Sequence, residues 1–472
     1  MSSPSEYLII DAQGKEHPLD LVDIEKNEFV RRSPPLRNLL LCEEIGHAPH
    51  EKPPHIGIMR RLEIADYERA SDVGHLRFYP KGALMKELLE DWAIQIADEI
   101  GSIRVETPIM YRADERDIQE QASRFESRDY KVQVGKKKLF LRFAGDFGVF
   151  RMLKRAQVSV KQLPIRIFEL SPSFRLEKRG ECVGMRRQRA FTMPDIHSFC
   201  RDMEQALEEF RRLSVNYARL LRGLDLEFVH VFRSTEDFYQ EHRQFLSDLT
   251  RELGMISLVR LLAWRTHYWT MKNEFQFIDS TGRNFQLATA QVDVEDSELY
   301  GLTYLNEQGK GKGYIIVHSS MGSIERCLCA ILETAAKKMR MGALPTIPTW
   351  IAPVQVRIIP VADRHTGYAL SIADRLRSKR VRADVDDRRK TVEWKIRASG
   401  KNWIPYVGVV GEKEERTKTI SVTIRGLSTP KKGHIESMGV ERLADMVLGE
   451  TANMPFRPLG LSVRLSQSIS FV

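Results

Sequence analysis

The chain has few cysteines and no long apolar stretch. Its five cysteines among 472 residues are scattered and form no C-x-x-C pair, which argues against a disulfide framework and a zinc finger. No run of about 18 apolar residues occurs, so we expect no membrane-spanning helix. Residues 1–16 lack the basic, apolar and small-residue order of a secretory signal. We therefore expect a cytoplasmic protein with reduced thiols and no membrane partner.

What the chain does contain is a high content of charge with a basic excess. Hydrophobic residues make up 42% and charged residues 29%, a composition typical of a folded globular protein. The net charge of +9 and the pI near 9.2 favour a polyanionic partner. A length of 472 residues is enough for two or three domains, each with its own core.

Apolar periodicity and proline-rich segments predict the domain organisation. Residues 1–60 are expected to form a short extension that ends in a linker, because prolines between its histidines favour a connector over a metal site. Residues 61–342 combine helical periods with strands joined by short turns, which predicts a mainly antiparallel α+β domain. The expected strands cover residues 103–110, 165–170, 272–279, 285–293 and 313–318, and the expected helices begin at Leu84, Met203 and Ser323.

The C-terminal third has a different pattern. Residues 343–353 are rich in proline and are expected to be an interdomain linker. Strands and helices then alternate from residue 354 to residue 410, which is typical of a parallel or mixed sheet. We therefore expect a small α/β domain over residues 354–472.

A pair of polar, strand-like segments is the strongest functional signal. Residues i and i+2 of a strand share a face, so Arg175 and Glu177 point together, as do Asp195 and His197. The twelve residues between Glu177 and Ala190 contain five lysines and arginines against one acid. Guanidinium groups form paired hydrogen bonds with phosphate, so this loop suits a polyphosphate. The alternative is a solvated basic hairpin without a specific ligand.

Three segments resemble the signature motifs of class II aminoacyl-tRNA synthetases. They are Pro108 within residues 105–110, residues 174–177 with the later Arg187 and Phe191, and residues 322–326 at the start of a helix. Within that class the chain best resembles the threonyl enzymes of archaeal type, from Gly74 to the C-terminus. Residues 189–197, 286–291, His318 and residues 348–356 carry this narrower resemblance.

The resemblance implies a class II catalytic domain on a mainly antiparallel sheet, followed by a small α/β anticodon-binding domain. It also implies a homodimer through the Pro108 region and a two-step ligation of L-threonine to tRNA(Thr). ATP and threonine first form threonyl-adenylate with release of pyrophosphate, and the tRNA 3′ end then accepts the threonyl group. The first step mainly requires positioning and charge stabilisation, with Mg²⁺ bound to the ATP.

The ATP site implied by the resemblance consists of Arg175, Glu177, Arg187, Phe191, Gln286 and Arg326. Arg175 and Arg326 are the expected catalytic residues, because Arg175 neutralises the α-phosphate and Arg326 reaches the terminal phosphate. Glu177 is expected to accept a hydrogen bond from the adenine amino group. Phe191 is expected to stack on one face of the purine while Arg326 covers the other.

A zinc ion is a second feature that the resemblance implies. His197 and His318 match the two histidine ligands of the family, while Asp146 occupies its cysteine position. A carboxylate can replace a thiolate and keep the charge, although loss of sulfur weakens the preference for zinc over other divalent ions. The segment between His318 and Gly322 is one residue shorter than in the family. The alternative for His318 is a strand-end histidine bonded to a backbone carbonyl.

The amino-acid site implied by the resemblance consists of Asp195, Tyr268, Trp269, Thr289 and Gln291. Asp195 is the candidate for holding the threonine hydroxyl or amino group, and one of the two aromatic residues covers the substrate. Gln286 has the opposite strand parity to Thr289, so it reaches the pocket only through a β-bulge or from the rim.

Selection of threonine follows from the expected metal site. A metal ion that binds the hydroxyl group of threonine rejects valine, which lacks it. Serine keeps the hydroxyl, and its missing methyl group provides only about 1–3 kcal/mol of discrimination against it. Editing of seryl-tRNA is therefore required. Archaeal threonyl enzymes carry a long N-terminal editing domain, but fewer than 74 residues precede the catalytic resemblance here. We expect the chain to form some seryl-tRNA and to rely on a separate editing protein.

The C-terminal domain contains candidate anticodon contacts. Glu414 resembles an anticodon-contacting acid of the family, and the family's arginine falls on Thr423, with Arg425 two residues later. The alternative is a basic surface without base-specific contacts.

Two other functions remain open at this point. A prolyl or glycyl enzyme shares the core and the C-terminal domain but does not need His197, His318 and a third metal ligand. A synthetase-like tRNA-binding or regulatory protein is the non-enzyme alternative. Intact Arg175, Glu177 and Arg326 count against it.

The motifs predict that the purified chain catalyses ATP–pyrophosphate exchange that depends on threonine. The measurement is exchange of labelled pyrophosphate into ATP with each of the twenty amino acids. Exchange with proline alone would overturn the threonyl assignment, and the absence of exchange with any amino acid would favour the non-catalytic alternative.

Overall fold

The computed structural model describes residues 5–47, 49–124 and 128–471. Residues 1–4 and Ala48, which belong to the predicted extension and linker, lie outside the described residues. The chain divides into two compact units: Met1–Pro53, Ser71–His75 and Ala93–Ala330 form the first, and Pro54–Ala70, Leu76–Trp92 and Ile331–Val472 form the second. The boundaries expected at residues 60, 342 and 353 do not coincide with this division and stay a prediction.

The elements up to residue 200 are β1 (Ser5–Ile10), β2 (Glu16–Pro18), α1 (Glu28–Arg32), α2 (Pro34–Glu43), α3 (His55–Arg61), β3 (Ala65–Tyr67), β4 (Leu76–Phe78), α4 (Pro80–Glu99), β5 (Ile103–Arg104), β6 (Met110–Arg112), α5 (Arg116–Arg124), β7 (Lys131–Val134), β8 (Lys137–Leu141), α6 (Asp146–Leu153), β9 (Ile165–Phe174) and β10 (Ala190–Cys200). Next come α7 (Met203–Gly223), β11 (Val229–Thr235), α8 (Glu236–Leu253), β12 (Ser257–Leu262), β13 (Trp269–Ile278), β14 (Asn284–Asp293), α9 (Asp296–Tyr300), β15 (Tyr304–Leu305), β16 (Gly311–Lys312), β17 (Ile315–Ser320) and α10 (Ile324–Arg340).

The remaining elements are β18 (Val356–Pro360), α11 (Thr366–Ser378), β19 (Ala383–Val385), α12 (Val392–Lys401), β20 (Tyr406–Val410), α13 (Glu412–Thr417), β21 (Ile420–Ile424), β22 (His434–Met438) and α14 (Val440–Glu450). Within the described ranges, no helix is both long enough and apolar enough to cross a membrane.

A ten-stranded sheet organises the first unit, in the order β2-β1-β12-β11-β13-β14-β17-β10-β9-β5. Among the described residues, β11–β12 and β5–β9 are its parallel pairs, and the other neighbours are antiparallel. Short connections such as the one between β13 and β14 favour antiparallel pairing, because a parallel pair needs a longer crossover. The prediction of a mainly antiparallel α+β domain is confirmed.

The N-terminal segment is part of this sheet and its core. Strand β1 pairs with β12 along its whole length, from Ser5 opposite Leu262 to Ile10 opposite Ser257. Ile9 on β1 and Leu40 on α2 are fully buried in one apolar cluster with Val231 on β11 and Ile278 on β13. Burial of this apolar surface attaches the segment to the sheet.

Two predicted strands differ from the structure. The expected strand 103–110 is broken into β5 and β6, because Pro108 lacks an N–H and the Thr107 N–H donates to the Glu169 carboxylate at 2.7 Å. The expected strand 174–177 ends at Phe174. The Leu176 N–H turns to the Arg128 carbonyl at 2.9 Å, so residues 175–177 leave the β-ladder as an irregular segment.

The second unit contains a five-stranded sheet in the order β19-β18-β20-β21-β22. Strand β18 runs parallel to β19 and β20, while β21 and β22 are antiparallel to their neighbours. Ile358, Leu376, Val422 and Leu443 are fully buried in its core. The prediction of a small α/β domain with a mixed sheet is confirmed.

The buried position of Ile9 predicts that Ile9→Ala destabilises the first unit. Loss of buried methyl groups and the resulting cavity should lower the free energy of unfolding by about 2–5 kcal/mol. Val22→Ala is the control, because Val22 is 93% exposed. It should change the free energy of unfolding by less than about 0.5 kcal/mol. Urea unfolding measures both variants, and equal midpoints would contradict the role of β1 in the core.

Candidate active site

The hairpin of β9 and β10 forms one side of a polar cavity of about 330 Å³. Phe174 and Ala190 face each other where the loop joins the two strands, and His197 lies opposite Ile167 further along. The sequence-predicted residues that line the cavity are Arg175, Glu177, Arg187, Phe191, Tyr268, Trp269, Gln286, Thr289, Gln291 and Arg326. Asp195 and the three predicted metal ligands lie outside this lining.

Two arginines carry positive charge into the cavity. Arg175 donates from Nε to the Phe143 carbonyl at 3.0 Å, and its guanidinium lies 5.3 Å from the Phe191 ring centre. Arg326 donates from Nε to the Arg186 carbonyl and from Nη1 to the Gln286 carbonyl, each at 3.1 Å. Burial, reinforced by the charge of Arg175, lowers the pKa of Arg326 to about 10. Backbone carbonyls thus orient both guanidinium groups.

Glu177 is a buried carboxylate with two arginine partners. Its Oε2 accepts from Arg187 at 2.8 Å and from Arg128, while its backbone carbonyl accepts from Arg189 Nε at 3.1 Å. Arg128 lies 49 residues before Glu177 in the chain and was not predicted to belong to the site. The predicted acceptor is therefore oriented by cations from two different segments.

A β-bulge brings Gln286 to the cavity. Gln276 on β13 faces Gln286, whereas Glu274 faces Thr289, so β14 has one extra residue between these pairs. A bulge was one of the two alternatives, with a position at the rim, that the parity of Gln286 left open. Lys272 donates to Gln286 Oε1 at 3.2 Å and contacts Glu274 Oε1 at 2.7 Å. Lys272 was missed, although the alternating polar residues of β13 were a signal for it.

The predicted amino-acid site lies at the other end of the cavity. Tyr268 donates to Gln291 Oε1 at 2.7 Å, and Trp269 stacks on His267 at 4.8 Å. Asp195 lies on β10 between Glu169 and Ser320. Burial and the nearby charge of Asp146 raise the pKa of Asp195 well above its ordinary value.

Asp146, His197 and His318 come together as a group that can hold a metal ion. His197 Nε2 lies 2.8 Å and His318 Nδ1 lies 3.5 Å from the same Asp146 oxygen, Oδ1. Within the part of the chain that the structure describes, His318 Nδ1 and His197 Nδ1 are buried without a hydrogen bond. Phe150 covers both imidazoles at 5.7 Å. Two nitrogens and one carboxylate are a donor set that suits a divalent metal ion such as zinc.

Electrostatics couples the three groups. Burial acts to raise the pKa of Asp146, but the neighbouring imidazoles of His197 and His318 outweigh it and hold that pKa far below its usual range. Burial acts to lower the pKa of His318, and the carboxylates of Asp146 and Asp293 raise it well above its ordinary value. The site therefore attracts positive charge. The predicted carbonyl partner of His318 is not found, because its Nε2 lies 2.6 Å from Asp293 Oδ2.

Family comparisons agree with this geometry. Residues 130–335 match the family model of the tRNA synthetase class II core domain (G, H, P, S and T), and residues 355–450 match that of an anticodon binding domain. The threonine–tRNA ligase of Methanocaldococcus jannaschii is 40% identical over 475 residues, which cover 97% of this chain and 77% of the relative. The chain belongs to the threonine–tRNA ligase family. Membership removes the prolyl, glycyl and non-enzyme alternatives.

Other relatives support this assignment to the threonine–tRNA ligases. The threonine–tRNA ligase of Methanococcoides burtonii is 43% identical, with 100% of this chain and 74% of the relative covered, and that of Pyrococcus furiosus is 39% identical, with 99% and 74% covered. A solved structure described as the RNA binding domain of threonyl-tRNA synthetase from Cryptosporidium parvum Iowa II has a TM-score of 0.73 at 22% identity. It covers 86% of this chain and 99% of its own. That likeness shows the shared fold.

The core of this synthetase contains a buried ionic network that the sequence did not indicate. Arg142 donates from Nη1 to Glu169 Oε1 at 2.9 Å and to Thr107 Oγ1 at 2.8 Å, and from Nε to the Pro172 carbonyl at 2.7 Å. Arg142 and Glu169 are only 1% and 2% exposed. Through Thr107, the network joins the segment around Pro108 to β9. Arg142 also directly precedes Phe143, whose carbonyl accepts the hydrogen bond from Arg175.

The predicted anticodon contacts lie in the second unit. Glu414 accepts from the Gly411 N–H at 3.1 Å and caps α13, while Thr423 lies on β21 opposite Val407. Arg425 donates to the Pro345 carbonyl at 2.7 Å and to the Gly400 carbonyl at 3.0 Å, and burial lowers its pKa to about 10. The side chains of Glu414 and Arg425 thus form hydrogen bonds with backbone groups of the second unit. Their contact with RNA stays a prediction.

The buried network predicts a large cost for Glu169→Gln. The amide leaves the charge of Arg142 buried without a compensating anion, which should lower the free energy of unfolding by about 3–5 kcal/mol. Glu99→Gln is the matched control, because the Glu99–Arg219 pair is exposed and should contribute at most about 1 kcal/mol. Chemical denaturation measures both, and equal losses would contradict the account of the network.

Proposed function

We propose that this threonine–tRNA ligase activates L-threonine with ATP in the cavity beside the β9–β10 hairpin and then transfers it to the 3′ end of tRNA(Thr). The observation that carries the proposal is the convergence of two carbonyl-held cations, Arg175 and Arg326, with the trio Asp146, His197 and His318 in one catalytic unit. The cations suit the phosphates, and the trio suits the polar groups of an amino acid.

The nucleotide end of the cavity is assigned first. Phe191 stacks on the purine, and Arg326 covers its other face while it reaches the terminal phosphate. Arg128 and Arg187 both contact Oε2 of Glu177, so Oε1 is the oxygen we assign to the adenine amino group. Mg²⁺ accompanies the ATP, and Gln286 closes this end of the cavity at the bulge.

The chemical step is an in-line attack of the threonine carboxylate on the α-phosphate. Arg175 neutralises the charge that develops there, because its guanidinium is held in place by the Phe143 carbonyl before the reaction starts. The reaction proceeds through positioning and charge stabilisation and needs no covalent nucleophile. As the carboxylate bonds to the α-phosphorus, the bond from that phosphorus to the bridging oxygen breaks and pyrophosphate leaves.

The amino-acid end selects threonine through the metal-ligating trio. Asp146, His197 and His318 would hold one zinc ion, which when bound supplies open positions for the amino and hydroxyl groups of threonine. Asp195 holds one of these two groups, while Tyr268, Trp269, Thr289 and Gln291 enclose the side chain. Valine lacks the hydroxyl and is rejected. Serine keeps it, so the site discriminates threonine from serine by only about 1–3 kcal/mol. The separate editing protein for seryl-tRNA stays a prediction.

The partners are tRNA(Thr) and a second copy of the chain. The anticodon-binding match of residues 355–450 supports contact of the second unit with the anticodon, to which we assign Glu414 and Arg425. Pro108 lies beside Ile109 and Met110, which are 41% and 43% exposed. Exposed apolar residues of this size favour a protein contact, so we assign this segment to the homodimer interface. A cytoplasmic location also stays a prediction.

Replacement of Asp146 tests the metal site. Asp146→Ala should bind zinc more weakly by at least about 10–100-fold and should lose threonine-dependent ATP–pyrophosphate exchange to a similar extent. Asp146→Cys should keep three ligands and bind zinc at least as tightly as the unmodified chain, because thiolate is the softer donor.

Metal content after dialysis and exchange activity are the two measurements. Asp114→Ala is the control, since Asp114 is exposed and pairs only with Arg112 among the contacts of the described residues. Unchanged zinc in Asp146→Ala would remove Asp146 from the ligand set. If Asp146→Ala loses all its zinc but activates threonine as the unmodified chain does, the metal is not what selects the substrate.

A further inference from the structure

We propose that Asp293 is a positioning residue that determines which nitrogen of His318 faces the metal. The inference rests on the proposed metal site of Asp146, His197 and His318 and adds to it a fourth residue that is not a ligand. In this role Asp293 accepts a hydrogen bond from the Nε2–H of His318. The lone pair of Nδ1 then remains directed at the other two ligands.

The Asp293 carboxylate is held on both of its oxygens. Oδ1 accepts from the N–H of Glu295 at 2.8 Å and from the N–H of Asp296 at 3.0 Å, at the start of α9. Oδ2 lies 2.6 Å from His318 Nε2. The Asp293 side chain is fully buried. Two backbone donors therefore prevent the carboxylate from rotating away from the histidine.

The hydrogen bond to Asp293 defines the tautomer of His318. A neutral imidazole carries one N–H, and the strong acceptor at Nε2 keeps the proton on that nitrogen. In this neutral, metal-binding form Nδ1 is unprotonated, and it lies 3.5 Å from Asp146 Oδ1 without a hydrogen bond among the described residues. Metal-ligating histidines commonly donate their other N–H to a carboxylate, which orients the ring and raises its basicity as a ligand.

Asp293 also belongs to a second acidic group with Asp296 and His318, whose donor atoms lie within 4.8 Å of one another. Both oxygens of Asp293 already accept protein N–H groups, and the Nε2 of His318 is directed at one of them. These contacts give Asp293 the role of an acceptor. They leave the Nδ1 side of His318 as the side that faces a metal ion.

Asp293→Asn distinguishes this role with little change in shape. The two α9 amides require an acceptor, so the carbonyl of the new side chain should remain on them and its NH₂ group should face His318. An NH₂ group donates to Nε2, which moves the imidazole proton to Nδ1 and removes the lone pair that the metal needs.

Zinc affinity is the first measurement, by competition with a chromophoric chelator on the full chain. Asp293→Asn should bind zinc about 10–100-fold more weakly than the unmodified chain. Asp296→Asn is the matched control, because it removes the same charge from the same acidic group while Asp293 keeps its contacts. It should weaken zinc binding by less than about 3-fold. Excess zinc should restore threonine-dependent exchange in Asp293→Asn, which a purely structural defect would not allow.

The outcomes separate this inference from the proposed function. If Asp146→Ala retains zinc, Asp146 is not a ligand and the proposed trio of ligands fails. If Asp146→Ala loses zinc while Asp293→Asn binds it as tightly as Asp296→Asn does, only the role of Asp293 fails.

A second measurement keeps the inference testable if Asp293→Asn does not fold. The measurement is NMR of the zinc-loaded, unmodified chain labelled with ¹⁵N-histidine. The signals of the His318 ring are identified because they are absent from the spectrum of His318→Asn. They should show a protonated Nε2 and a metal-bound Nδ1. Metal bound through Nε2 of His318 would overturn the proposal.

Discussion

The antiparallel pairing of β10 with β9 and β17 is the constraint on which the site depends. In this register His197 lies directly opposite His318, and Asp195 lies opposite Ser320. Side chains alternate between the two faces of a sheet, so a shift of one residue would move His197 to the other face, away from His318. The same strand carries Phe191, which lines the cavity. One register therefore positions both histidines and a residue of the cavity wall.

Burial of charge shapes the rest of the centre. Arg175 and Arg326 are held by carbonyl oxygens, which orient their guanidinium groups. Arg142, by contrast, is paired with Glu169, and this buried pair connects the Pro108 segment to β9. A buried ion without partners costs several kcal/mol. Arg142 and Glu169 thus form a structural pair, whereas Arg175 and Arg326 line the cavity.

Much of the architecture could be predicted because its signals are local. Apolar periods predicted α4, α7 and α10, and strand parity left the bulge that β14 contains as one of two alternatives for Gln286. Local patterns failed where a distant group competes with the β-ladder. Leu176 leaves the ladder for the Arg128 carbonyl, and Thr107 bonds to Glu169. Such competition depends on tertiary contacts, which no window of a few residues contains.

The sequence by itself indicated most of the helices and strands, because periodicity is a property of neighbouring positions. Its resemblance to a known family supplied the order of the three motifs and the candidate residues. Only the tertiary structure decided how those residues meet. It brought Asp146 to His197 across 51 positions, gave Glu177 its two arginines and placed Asp293 behind His318. The physical reason is that most of these partners lie far apart in the chain and meet only after the segments that carry them have packed together.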